Sequence, residues 1–176
     1  MKQLSSFPPH CYLENGKKRI RTADLFDYYT RDVYKDALHD FAELTLFFIK
    51  TQMNNWYRCP RYLGDSGEYM EFKYYDNLQP IKYGTLMTTS ALIYEMVTLQ
   101  ETLREHIEQS KFLFSGTSYY FMPVNIWLQN YMYDPETFEI RMVDVDSFEV
   151  AEEDAIDDIF RLHYNGYDFI LRDRYK

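Results

Sequence analysis

Between Ala23 and Met53 the apolar residues fall on a single helical stripe. Phe26, Tyr29, Val33, Ala37, Phe41, Leu44 and Phe48 recur at steps of three and four, and Leu25, Leu38, Thr45, Ile49 and Met53 broaden the band. Such steps place side chains on one face of an α-helix. Thr22 is a suitable N-cap, and Asp24 and Asp27 complement the positive end of the macrodipole. One continuous helix over this stretch would run about 45 Å at 1.5 Å per residue, longer than the core of a small domain. The stripe therefore leaves two outcomes: a break near Leu38, or a helix that reaches past its own core and packs against a partner.

A length of 176 residues, 46% of them hydrophobic and 27% charged, suits one globular domain. We expect residues 1–21 to form an N-terminal arm, because Pro8-Pro9 precedes the hairpin signal Asn15-Gly16 between His10–Leu13 and Lys18–Ile20. Residues 22–176 then form a single α+β domain. Cys59-Pro60 ends the helical pattern. Arg61–Leu63 and Glu68–Tyr75, about the turn Gly64–Gly67, predict a β-hairpin, and Asn77–Gly84 a loop.

A second helix is expected from Thr88–Ser90, burying Leu92, Met96, Leu99, Leu103 and Ile107. Two β-rich runs, Tyr119–Tyr133 and Phe138–Val145, flank the turn Asp134–Thr137 and predict the central sheet. Ser147 is placed to cap a short acidic helix through Leu162, with Val150, Ile156, Ile159 and Phe160 as its apolar contacts, and Tyr167–Leu171 reads as a last strand. The expected fold is α+β: a long N-terminal amphipathic helix and a second helix packed on a mostly antiparallel sheet built from hairpins, with a short acidic C-terminal helix.

The net charge of -9 opposes general binding to a phosphate backbone. A local exception is the run Lys17, Lys18, Arg19 and Arg21, which has no acid within it and could contact phosphate or an acidic partner; a solvated charge run in a turn is the favoured reading. The opposite asymmetry lies at Asp144, Asp146, Glu149, Glu152, Glu153, Asp154, Asp157 and Asp158, a stretch without Lys or Arg. It fits three roles: an imitation of phosphate spacing that captures a basic protein partner, a surface for the basic arm of another copy, or a solvated helix face.

Cys11 and Cys59 form no CxxC pair and are expected to be reduced thiols. No apolar run has the length of a signal peptide or a membrane span, so no membrane partner is expected and the cytoplasm of a cell or host is the default compartment. The 18 Tyr and 13 Phe against 6 Gly have two explanations. Tyrosine suits surfaces that are wet when free and buried when bound, which favours an interaction protein. AT-rich coding DNA enriches the same residues, which would point to a virus, phage or other mobile element.

Gly64-Asp65-Ser66-Gly67 resembles the nucleophile loop of trypsin-like serine proteases over four residues. That family also needs an upstream His and Asp on a double β-barrel; here His39 and Asp40 fall in a helical pattern and Glu68 stands where the family has glycine, so a hairpin turn is the better reading. Asp144-Val145-Asp146-Ser147-Phe148 resembles the first palm motif of translesion (Y-family) DNA polymerases. The resemblance implies magnesium ligation by Asp144 and Asp146, with Glu149 as a further candidate. In that family the motif opens a much larger chain, whereas here only thirty residues follow Asp146. His10, His39, His106 and His163 form no ligand spacing, and no phosphate-binding glycine loop, serine elbow or dinucleotide fingerprint is present.

Trp56, Tyr57 and Arg58 group the residue types most enriched in interface hot spots just past a helix end, where a helix cap packed on the core is the alternative reading. No catalytic residues and no cofactor are expected. The function these features favour is a non-enzymatic interaction or assembly subunit, a homo-oligomer or a scaffold component of a phage or similar particle. The alternatives are an acidic nucleic-acid-mimicking inhibitor of a basic host enzyme and a Mg-dependent enzyme acting on phosphate-containing substrates through Asp144 and Asp146.

Overall fold

At Asn15-Gly16 both residues take positive φ, 53° and 73°, the backbone that a two-residue hairpin turn requires and that this dipeptide tolerates best. The turn joins β2 (Cys11–Glu14) to β3 (Lys17–Arg21) in a computed structural model that describes residues 1–5, 8–30, 38–123 and 131–152. The chain divides into two units, Met1–Asp76 and Asn77–Lys176.

In the first unit the hairpin is part of a five-stranded sheet. β3 pairs with β5 (Tyr69–Lys73), which pairs with β4 (Tyr62–Ser66), and β1 (Lys2–Gln3) lies on β2; the sheet order is β1-β2-β3-β5-β4, antiparallel throughout. Register brings Cys11, Ile20 and Met70 into one row across three strands, and all three are buried. Only β5 shows the period-2 pattern of a half-buried strand, with Met70 and Phe72 both buried.

The helical stripe is carried by two helices, α1 (Thr22–Thr30) and α2 (Leu38–Thr51), and residues 31–37 lie outside the described residues. α1 packs beside α2 and against β3. A straight helix would hold Thr30 and Leu38 about 12 Å apart and leave its halves no means of touching, so the long N-terminal helix is corrected to a folded-back pair preceded by strands. The physical reason is burial. Leu25 and Tyr29 from α1, and Ala42, Thr45, Phe48 and Ile49 from α2, are all buried, which a stripe extended beyond a small core would not achieve.

The hairpin predicted after Pro60 is present, but its turn is Gly67-Glu68; Gly64, Asp65 and Ser66 belong to β4, with a bulge at Leu63. A ladder with Ser66 opposite Tyr69 places the tight turn one pair later than the glycine pattern suggested.

In the second unit, β6 (Gln79–Pro80) and α3 (Tyr83–Thr88) occupy the stretch expected as loop. α4 (Ser90–Gln109) buries the foreseen Leu92, Met96, Leu99, Leu103 and Ile107, together with Ile93 and His106. It packs on strands of two three-stranded antiparallel sheets. One has the order β10-β9-β6, from β9 (Tyr131–Tyr133) and β10 (Ile140–Met142); the other is β11-β8-β7, from β7 (Phe112–Phe114), β8 (Thr117–Pro123) and β11 (Phe148–Glu152). The two β-rich runs therefore do not form one central sheet. β8 and β9 serve different sheets, and residues 124–130 between them lie outside the described residues.

The turn at Asp134–Thr137 is as expected: Asp134 Oδ1 accepts from Glu136 N at 2.8 Å, and Phe138 N donates to Asp134 O at 2.7 Å. The acidic helix from Ser147 is corrected over its first part. Val145–Ser147 is a 3-10 turn and Phe148–Glu152 is β11, with Phe148 and Val150 buried opposite Pro123 and Phe121. Alternation at Phe148 and Val150 outweighs the helical spacing read from Val150 onward. The remainder of that expected helix and the strand Tyr167–Leu171 lie outside the described residues. The coarse class holds: α+β with antiparallel sheets.

Candidate functional site

The basic run lies on a strand inside a sheet. Alternation in β3 turns Lys17, Arg19 and Arg21 to one face and Lys18 with Ile20 to the other. The neighbouring strands supply the acids that the run itself lacks: Glu14 from β2 binds Arg19, and Glu71 from β5 lies 3.8 Å from Lys17 and 3.6 Å from Arg19. Tyr69 completes the face, with the Arg19 guanidinium 4.2 Å from its ring centre and Arg21 Nε donating to its hydroxyl at 3.4 Å. The Arg21 guanidinium is held further toward its charged form, first by that hydrogen bond. Glu14 and Glu71 offset two of the strand's four cations, and of these partnerships only that with Glu71 is invisible in a linear reading.

Trp56, Tyr57 and Arg58 follow a 3-10 turn, Met53–Asn55. Trp56 and Arg58 are buried, and the Arg58 guanidinium carbon sits 4.9 Å from the centre of the Tyr57 ring. Tyr57 alone of the three is exposed.

Of the acidic run, Asp144 precedes the 3-10 turn, Asp146 lies within it, and Glu149 and Glu152 project from β11. Glu153, Asp154, Asp157 and Asp158 lie outside the described residues. Among the described residues no group of three or more His, Cys, Asp and Glu side chains is gathered as a metal site.

The protease-like tetrapeptide is engaged in structure. Asp65 accepts from Lys50 Nζ at 2.8 Å and from the Tyr62 hydroxyl at 2.6 Å. Desolvation works to raise its carboxyl, but these two donors outweigh it and hold it below the usual range. The Tyr62 phenol is pushed well up, by desolvation first and then by the carboxylate it donates to. His39 and Asp40 lie in α2, and Ser66 is paired in β4.

What sequence reasoning missed is β7. Its Phe112-Leu113-Phe114 ends the sheet order β11-β8-β7, and among the described residues no strand lies on its other side. Leu113 is 72% exposed and Phe114 41%. The signal was present: Ser115-Gly116, at φ 50° and 82°, forms a two-residue hairpin turn. On one face of the sheet, rings run from this edge inward, Phe114 and Phe112 against Tyr119 at 6.4 and 5.5 Å, then Phe121 against Phe148 at 5.6 Å.

Cys11 and Cys59 are buried free thiols, and no described helix is long and apolar enough to cross a membrane. Compared with known proteins, the chain matches no family model, no curated protein and no solved structure.

Proposed function

We propose that this chain is a non-enzymatic protein–protein interaction subunit that assembles with copies of itself. The observation that carries the reading is the set of large apolar side chains left open to water on ordered elements: Phe47 on α2, Tyr94 on α4, and Leu113 and Phe114 on β7. Isolated exposed apolar residues are ordinary, but two adjacent ones on an outer strand expose both side chains and backbone groups, which favours pairing with another chain. The surplus of tyrosine and phenylalanine supports the same reading, since such rings contribute large contact area at little entropic cost.

The test is the molar mass in solution, by light scattering after size exclusion, at low and high salt and over a range of concentration. A mass that rises above the monomer and survives high salt fits association through apolar contacts. A monomer at every concentration and salt overturns the reading.

A further inference from the structure

We propose that β7 is a self-pairing edge: two copies of the chain join antiparallel through Leu113, about a twofold axis, and merge their β11-β8-β7 sheets into one of six strands. This deepens the assembly reading above and rests on it. Exposed strand edges invite pairing, and proteins blunt them by shortness, charge, proline, bulges or a covering side chain.

Every other outer strand described carries such a device. β1 has two residues, one of them Lys2. β4 has a bulge at Leu63, and Asn54 covers its backbone. β6 has two residues and ends in Pro80. On β10 the backbone N of Ile140 donates to Glu95 of α4 at 3.3 Å, and Arg141 pairs with Glu139 at 3.0 Å. β11 carries Glu149 and Glu152. β7 has no charge, no proline and no bulge, and its register with β8 is regular.

Register then defines what the edge presents. The turn at Ser115-Gly116 makes Phe114 and Thr117 the hydrogen-bonded closing pair, and alternation directs the N–H and C=O of Leu113 away from β8. Lys111 N is already engaged by Glu108 O at 3.3 Å, so the open strip centres on Leu113.

A second copy matches that strip. With Leu113 opposite Leu113 of the other copy, each donates to the other's carbonyl, and the two exposed leucine side chains lie against each other. Phe112 falls opposite Phe114, which continues the ring series across the junction. Charge is compatible as well: Lys111 falls opposite Ser115, so no like charges face each other, as a self-complementary twofold contact requires. A strip of three residues is far below the roughly 20–30 residues per side of a standard interface, so the pairing is weak and concentration-dependent.

Leu113→Cys tests the contact directly, because the native thiols are buried and a hydrogen-bonded antiparallel pair sets Cα atoms about 5.5 Å apart, within disulfide range. Under mild oxidation of the full chain at high concentration, Leu113→Cys is expected to give a disulfide-linked dimer several-fold more abundantly than Phe47→Cys or Tyr94→Cys, whose positions are also exposed. In light scattering, Leu113→Lys, which sets two like charges face to face, is expected to lose the mass increase of the parent chain.

Equal cross-linking at all three positions overturns the pairing, and so does an oligomer that survives Leu113→Lys; the latter leaves assembly intact through another surface. A parent chain that remains monomeric overturns both readings. A parent that self-associates while Leu113→Cys stays reduced leaves this edge to an extended segment of a different protein, and also overturns the pairing.

Discussion

Asn54 uses both ends of its side-chain amide on one residue: its Nδ2 donates to Tyr62 O and its Oδ1 accepts from Tyr62 N, each at 2.8 Å. Tyr62 begins β4, the outer strand of the first sheet, so the amide takes the place that the backbone of a further strand would fill. Lys50, one turn earlier on α2, binds Asp65 further along the same strand. The helix end and the strand edge are thus fastened at two points, and the edge is closed to pairing.

Asn54→Ala is expected to remove both bonds. A net contribution near 1 kcal/mol per hydrogen bond, reduced here by exposure to water, gives a loss of about 1–2 kcal/mol. The check is a denaturant titration, with a lower midpoint at unchanged slope. Asn54→Asp keeps the acceptor and loses the donor, and its midpoint is expected to fall between the two. A midpoint for Asn54→Ala equal to that of the parent would show that the plug contributes nothing.

Ser110 fastens the end of α4 to β8. Its buried Oγ lies 2.6 Å from Ile107 O and 3.2 Å from Phe121 O, and it accepts from Phe121 N at 3.0 Å. Ser110→Ala leaves a buried backbone N–H without that acceptor, and the expected loss is about 1–3 kcal/mol. Thr98→Ala, which removes only a back-bond from a helical threonine to Tyr94 O at 3.1 Å, is expected to stay within about 0.5 kcal/mol of the parent. Thermal unfolding of the two variants side by side decides the matter; equal melting temperatures would refute the assignment.

The parts of this fold that were legible in the sequence are those set by local pattern. The Leu92-to-Ile107 stripe, the Asn15-Gly16 hairpin and the Asp134–Thr137 turn each follow from spacing or from turn chemistry within a few residues. The failures are non-local. Of the two outcomes left by the long stripe, the break near Leu38 fits the two helices found. Yet nothing in the sequence between Thr30 and Leu38 resembles a helix stop that would have decided for it.

Phe148 and Val150 are too short a series to distinguish a strand from a helix until Pro123 and Phe121 lie opposite them. The basic run looked unpaired in part because Glu71, which meets both Lys17 and Arg19, lies more than fifty residues further along the chain. Of the grouped Trp56, Tyr57 and Arg58, only Tyr57 is exposed, and which of the three would face water was not legible in the sequence. Nor was the β7 edge, because only the order of strands in a sheet reveals which strand is outermost.

The two thiols make a further check on the core. Burial alone pushes the Cys59 thiol well up, and Cys11 lies in the buried row with Ile20 and Met70. A buried thiol holds little thiolate and gives a reagent little access. Native protein is therefore expected to react with a thiol reagent at pH 8 many-fold more slowly than the same chain in denaturant, where both cysteines should titrate. Rapid native reaction of either residue would place it outside the core.

His106 gives the fold a pH dependence whose sign is fixed by its position. It is buried on α4, and desolvation lowers its pKa from the usual 6.5 to about 4. Between those values the unfolded chain binds a proton that the folded chain refuses, so stability rises with pH across this window. The contribution is fully present above pH 6.5 and is lost progressively as pH falls toward 4. Converting the shift at 1.36 kcal/mol per unit gives a loss of about 2 kcal/mol between pH 7 and pH 5. Few carboxylates titrate in that interval, so His106→Leu, which removes the titration and keeps an apolar side chain, is expected to flatten the dependence. Denaturant midpoints at pH 7, 6 and 5 measure it; parallel curves for the parent and His106→Leu would mean that the imidazole accepts a proton in the folded state as readily as in the unfolded one.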